Sequence, residues 1–187
     1  MDFSEEEILI QDAQYNNQSF IKLYDKYYSK IFGYIFRRTL DLEISKDLTS
    51  ETFLKAYMNI GKFKWRNLPF SAWLYRIASN EMNMAERKGK YKPESLDLLN
   101  ENHQMEIADP QSLDSEKKLV EIQMEQHEDF IQIQLKLKLL PNKYQEVIAL
   151  RYFEEKSIKE IAQIIDKPEG TIKSLISRGI EKLRRLL

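Results

Sequence analysis

Apolar and polar positions alternate with helical spacing through most of the chain. From Ser19, Phe20, Leu23, Tyr24, Tyr27, Ile31, Tyr34 and Ile35 hold a 3.6-residue period to about Leu40, which predicts a long amphipathic helix. A shorter helix precedes it over residues 4–13, with Ser4 in N-cap position and acids in its first turn; Asn16-Asn17 separates the two. Asp41 is placed to cap a third helix running to Ile60, with Ile44, Leu48, Phe53, Ala56, Tyr57 and Ile60 on its apolar side. Gly61 follows as a C′ residue would. A fourth helix spans Pro69–Lys88, started by Asn67 and Pro69, with Phe70, Leu74, Ile77, Ala78 and Ala85 as its apolar stripe. The period is lost between Pro93 and about Ser115, resumes from Asp114 towards Leu140, and breaks at Pro141-Asn142. A helix over about 142–153 comes next.

The last thirty residues have a more specific pattern. Ser157-Ile-Lys-Glu160 is a capping box, in which Ser157 takes the Glu160 amide and the Glu160 carboxylate reaches back. Ile158, Ile161, Ala162 and Ile165 make a short amphipathic helix, and Asp166-Lys167 a tight turn. Pro168 then suits the first turn of a helix running to about Leu186. A short helix, a tight turn and a longer basic helix form a helix-turn-helix. Lys173, Ser174, Ser177 and Arg178, with Thr171 before them, gather on its second helix away from Ile172, Leu175, Ile176 and Leu183.

Composition narrows the class. The 187 residues include only five Gly and five Pro, little material for tight turns, and no alternating strand pattern stands out. The expected fold is all-α: two small helical domains over 1–92 and 126–187, joined by an acidic linker over 93–125. The absence of cysteine excludes disulfides and thiolate metal sites, and two histidines are too few for a typical zinc site. No cofactor is expected. Charged residues interrupt every hydrophobic run, so a cytoplasmic protein without membrane insertion is expected.

The net charge of −1 conceals segregation. Residues 62–92 carry eight bases against two acids, 93–130 two bases against eleven acids, and 156–187 eight bases against four. Two basic zones flank an acidic one, which scattered solvation does not explain. In the first zone the loop Lys62, Phe63, Lys64, Trp65, Arg66 interleaves two aromatics with three cations, the composition of a single-strand-binding surface. The helix after it places Trp73, Arg76, Asn80, Asn83 and Arg87 on one face. Such groups stack on bases, bond base edges and hold phosphates. The competing reading makes this a core helix with Trp73 half buried, and has Phe63 or Trp65 filling the core below the loop.

Three motifs in order, Asp47-Leu-Thr-Ser-Glu-Thr-Phe-Leu-Lys-Ala-Tyr57, Trp73-Leu-Tyr-Arg-Ile-Ala-Ser-Asn80 and Pro168-Glu-Gly-Thr-Ile-Lys-Ser174, resemble bacterial sigma factors of the extracytoplasmic-function group. The resemblance implies a subunit, not itself an enzyme, that binds core RNA polymerase and promoter DNA. It implies that the helix carrying Asp47, Thr49, Ser50, Glu51 and Lys55 docks on the polymerase clamp. The stretch from Lys62 to Arg87 would open the upstream bubble and hold non-template single strand, while the helix-turn-helix reads duplex. An anti-sigma partner is a further family expectation. Leu175 stands where the family commonly has Arg, and Gly179-Ile180 where it often has Ala-Arg.

Two other classes compete. A helix-turn-helix regulator with a ligand-sensing or dimerising N-terminal domain leaves the Lys62–Arg87 surface unexplained. A nucleic-acid enzyme lacks metal-ligand spacing, a phosphate loop or a nucleophile–base pair.

Overall fold

The computed structural model describes residues 3–63, 69–89 and 128–186. Among them, helices are the only regular structure: α1 (Phe3–Ala13), α2 (Asn17–Thr39), α3 (Leu42–Asn59), α4 (Phe70–Arg87), α5 (Glu128–Lys138), α6 (Asn142–Ile148), α7 (Ile158–Ile165) and α8 (Glu169–Arg184). The expected linker, the loop residues 64–68 and the start of the helix expected from Asp114 lie outside the described residues.

The caps fix most boundaries. Asn16 stands extended before α2 and its side chain accepts from the Gln18 amide at 3.0 Å, so α2 begins two residues before Ser19. Asp41 caps α3 as expected, accepting from the Ile44 amide at 2.9 Å. Leu40, between the two helices, takes a left-handed φ of 52° and bonds its amide back to Phe36, closing α2 without glycine. Two expectations fail. Ser4 lies inside α1 rather than capping it, although Glu5 and Glu6 occupy the first turn. Gly61 does not adopt the left-handed C′ form: the last turn of α3 tightens into a 3₁₀ turn, Ile60–Lys62, and the Phe63 amide bonds the Ile60 carbonyl.

The N-terminal helices pack around α2. Its periodic residues Phe20, Leu23, Tyr27, Ile31, Tyr34 and Ile35 are buried, whereas Tyr24 is partly exposed beside Phe53. Helix α1 is pinned to α2 by Glu6, which takes the Lys26 ammonium at 2.7 Å and the Tyr27 hydroxyl. Helix α4 buries two faces. Phe70, Leu74, Ala78 and Ala85 make the expected stripe, and Tyr75, Ser79 and Met82 make a second.

That second face meets the C-terminal helices, and one continuous apolar core runs from Ile10 to Ile172. After α6 the helix widens into a π-helical segment, Ala149–Phe153, in which the Glu154 amide bonds the Ala149 carbonyl. Helix α8 crosses α6 at Gly179. A Cβ added there would sit 3.0 Å from Ile148 Cδ1 and 3.3 Å from Tyr144 Cβ. The interior glycine therefore permits a close helix approach, which a propensity argument from sequence does not anticipate.

Two outcomes follow. Gly179→Ala should lower the melting temperature, even though alanine is favoured by about 1 kcal/mol in a helix interior; a rise would show that Ile148 and Tyr144 yield. Burial pushes the fully buried Tyr34 phenol up from 10.0 to about 12, against the lowering effect of Arg38. Because its folded value is raised, its stabilising contribution is complete below pH 10 and is lost as pH rises towards 12. An alkaline denaturation series should show Tyr34→Phe removing part of that loss.

Candidate nucleic-acid and polymerase interfaces

The surface at the start of α4 is built on an aromatic cluster. Phe63 and Trp73 lie with ring centroids 4.9 Å apart, and both pack on the buried Phe70, at 5.5 and 5.4 Å. Each is half-buried and packs against the apolar core, as the core reading of these rings expects. They border a pocket of about 360 Å³ that is also lined by Lys55, Asn59, Lys62, Ile77, Asn80 and Glu81. Lys62, Phe63, Trp73 and Asn80 therefore come together from the turn that ends α3 and from α4. Lys64, Trp65 and Arg66 lie outside the described residues.

Three of the lining residues escape a sequence reading. Asn59 ends α3, with its side chain donating to the Lys55 carbonyl at 2.9 Å. Ile77 belongs to the apolar stripe but stays half-buried at the pocket wall. Glu81 is buried and accepts from the Lys55 ammonium at 2.5 Å. The hydrogen bond to Glu81 raises the Lys55 pKa, with Glu51 at 3.4 Å adding to it. No sequence signal marks Glu81, since an acid on a basic face reads as ordinary solvation.

Farther along α4 the expected face divides. Asn80 and Arg87 are exposed, and a shallow pocket of about 500 Å³ lies between them. Asn83 is half-buried and its side-chain oxygen accepts from Asn142 at 2.7 Å. Arg76 meets Asp166 at 3.3 Å in an exposed pair. Two of the five side chains are thus engaged by the C-terminal helices.

On α3, Asp47 and Ser50 are exposed, and they line with Glu51, Leu54 and Lys55 a groove of about 920 Å³ against α4. Thr49 does not belong there. It is fully buried and donates to the Ser45 carbonyl at 2.6 Å. A threonine hydroxyl can be buried on a helix because it is satisfied one turn back. Leu54 and Met58, both well exposed, are the outward residues that the polar reading of this face omitted.

The C-terminal helix-turn-helix follows the sequence closely. Ser157 accepts from the Glu160 amide at 3.2 Å and its own amide donates to the Glu160 carboxylate at 2.9 Å, completing the capping box. Asp166 closes α7 in the left-handed region, with φ of 59°. On α8, Thr171, Lys173, Ser177 and Arg178 are exposed and Ser174 half-buried, while Ile172 is fully buried. Leu175 packs against the core, so this departure from the family pattern serves the fold.

Comparison with known proteins follows this division. The family model described as Sigma-70 region 2 matches residues 23–90, and the one described as Sigma-70, region 4 matches residues 130–183. The chain is 34% identical over 179 residues to the ECF RNA polymerase sigma factor SigW of Bacillus subtilis, covering 92% of this chain and 90% of the relative. The chain belongs to the ECF sigma factors. The RNA polymerase sigma-H factor of Pseudomonas aeruginosa is 32% identical, with 92% and 88% covered. Among solved structures, CnrH in complex with the cytosolic domain of CnrY shares the fold at 20% identity and a TM-score of 0.66, covering 97% of this chain and 96% of that one. The sigma factor RpoE of Bartonella quintana, in complex with the anti-sigma factor NepR, shares it at 22% identity and 0.63, with 90% and 96% covered.

As a sigma factor, the protein is not an enzyme and serves transcription initiation through two promoter-binding regions. This sets aside the ligand-sensing regulator and the nucleic-acid enzyme. Among the described residues no helix is long and apolar enough to cross a membrane.

Ser157→Ala should destabilise the sigma factor by about 1 kcal/mol in chemical denaturation, the usual worth of an N-cap. Burial alone would raise the Glu160 pKa, but the bonds from Ser157 bring it below 4.5. With the folded value depressed, the capping contribution is present above pH 4.5 and lost as pH falls through the folded pKa. The Ser157→Ala difference should therefore shrink on acidification.

Proposed function

We propose that this sigma factor divides promoter recognition between two surfaces and docks on core polymerase with a third. The pocket bordered by Phe63 and Trp73 receives an unpaired non-template base, with the Asn80 amide at its edge and Lys62 near the backbone. The observation that carries this reading is the convergence of two half-buried aromatic rings, two amides and two lysines on one pocket of about 360 Å³. The loop residues Lys64, Trp65 and Arg66, and Arg76, Asn83 and Arg87 along α4, extend the same surface. A stacked base contributes ~1–3 kcal/mol. That is comparable to the few kcal/mol needed to extrude a base from the duplex, so one or two captured bases stabilise a nucleated bubble without covalent chemistry.

Helix α8 lies in the major groove of the upstream element. Lys173 and Arg178 reach phosphates or guanine edges, and Thr171, Ser174 and Ser177 lie closer to the bases. The outer side of α3, Asp47, Ser50, Glu51 and Lys55, meets the polymerase clamp. Leu54 and Met58 add apolar contact there, and Thr49 acts from inside by holding the helix in place. An anti-sigma protein is a further partner, by analogy with the RpoE complex, in which the bound protein is the anti-sigma factor NepR. The site of action is the cytoplasm.

In vitro transcription with core polymerase, with and without this chain, tests the whole reading. Trp73→Ala and Asn80→Ala should impair open-complex formation, followed by permanganate footprinting, and leave core binding nearly intact. Loss of core binding instead would make this face structural. Arg178→Ala should weaken upstream-element binding. A base contact would relax selectivity by ~1–3 kcal/mol, whereas a phosphate contact would flatten the salt dependence.

A further inference from the structure

The pocket beside Trp73 contains an acid that a surface built only for phosphates would not carry. Glu81 is 7% exposed, yet it lines the pocket together with Lys55 and Asn59. Lys55 reaches across from α3 and bonds Oε2 of Glu81 at 2.5 Å; its second acidic contact is Glu51, at 3.4 Å. Among the described residues no donor is bonded to the other carboxylate oxygen, Oε1. Asn59 donates through Nδ2 to the Lys55 carbonyl, which leaves its Oδ1 unused. Lys55 has three ammonium N–H groups, of which Glu81 and Glu51 occupy two. Glu81 and Asn59 thus offer two acceptors, beside one remaining donor on Lys55. A carboxylate this deeply buried and met by a single cation is costly until further donors reach it.

We propose that Glu81, positioned by Lys55, makes this pocket selective for a base with an amidine edge, cytosine or adenine, over thymine and guanine. The inference rests on the reading above that the pocket receives an unpaired base.

In cytosine and adenine an exocyclic amine stands next to an unprotonated ring nitrogen. The two amine N–H groups match Oε1 of Glu81 and Oδ1 of Asn59, and the remaining Lys55 N–H matches the ring nitrogen. Thymine has no amine, and its N3–H lies between two carbonyls. Meeting the carboxylate through N3 therefore sets a carbonyl oxygen against an acceptor. On the Watson–Crick edge of guanine the amine adjoins N1–H, which opposes the Lys55 donor. Phe63 and Trp73 do not discriminate, because every base has a π-face. Stacking sets whether a base is held, and Glu81 sets which. With Lys55 and Lys62 against one acid, the pocket stays net positive and still suits DNA.

The test uses holoenzyme reconstituted with core polymerase on a promoter that it transcribes, with the non-template strand randomised across the upstream half of the bubble. Open complexes are recovered and sequenced. At one position the unmodified chain should enrich cytosine or adenine over thymine by roughly tenfold, within the range of one good polar base contact. Glu81→Gln should bring that position close to equal use of the four bases and leave the others as they were. A Glu81 that only joins α3 to α4 would instead lower opening on all templates alike, and that result overturns the inference. Enrichment of thymine or guanine at the position that Trp73→Ala flattens does the same.

Trp73→Ala separates the two layers. If it abolishes a preference that Glu81→Gln leaves intact, the pocket takes a base and Glu81 does not choose it. If neither substitution alters any position, the base-pocket reading fails as well. Circular dichroism and core binding check that each variant is folded. If Glu81→Gln does not fold, base analogues on the unmodified chain decide. Replacing cytosine by 2-pyrimidinone, or adenine by purine, removes only the amine and should reduce opening to the thymine level. Unchanged opening with the analogue overturns the role of the acid.

Discussion

A carboxylate taken out of water must be matched by donors, and Glu154 sets that requirement where the two halves of the chain meet. Its partners come from α2 and α4, the two helices around which the N-terminal half is built. Removing one member of such a buried pair usually costs ~3–5 kcal/mol, because the other charge is left stranded. The arrangement of α6 and α7 on α4 therefore depends on two arginines at the end of α2, Arg37 and Arg38, being directed inward. At a helix C-terminus they also complement the dipole, so their charge is partly stabilised before any partner arrives. Burial of Tyr75 and its contact with Glu154 both hold its phenol protonated, well above the usual tyrosine range, which keeps it a donor.

The N-terminal half then presents two surfaces from one pair of helices. Helices α3 and α4 pack along their length, and the groove they leave runs from Asp47 and Ser50 towards Met84 and Lys88. Lys55 stands where this groove and the aromatic pocket meet, held by Glu51 and Glu81. A change at Lys55 would be felt in both places. The groove proposed to meet polymerase and the pocket proposed to take a base are thus adjacent, with Lys55 and Glu81 lining both.

Much of this was legible in the sequence where one physical rule acted alone. The caps at Asp41 and Ser157, the stripe of α4 and the cationic side of α8 follow from local hydrogen bonding and helical phase. The failures arise where two rules compete. Thr49 reads as polar and therefore exposed, but its hydroxyl is satisfied by its own helix, so burial carries little penalty. Gly61 reads as a C′ glycine, but α3 ends by tightening. Gly179 reads as a weakness and is a point of contact. Glu81, Arg37, Arg38 and Glu154 carry no local signal, and only tertiary pairing distinguishes them from surface charge. The family resemblance supplied the polymerase and promoter, which periodicity and charge could not name.

The π-helical segment Ala149–Phe153 has a consequence for how this seam can vary. A π turn accommodates one more residue than an α turn, so every side chain after it is rotated relative to an uninterrupted helix. Losing that residue would restore ordinary α geometry and swing Glu154 by about 100° around the axis. The carboxylate would still be present in the sequence, in the same local composition, but would point away from Arg37 and Tyr75. A single-residue deletion thus acts as a phase error, and relatives that keep the acid need not keep the contact.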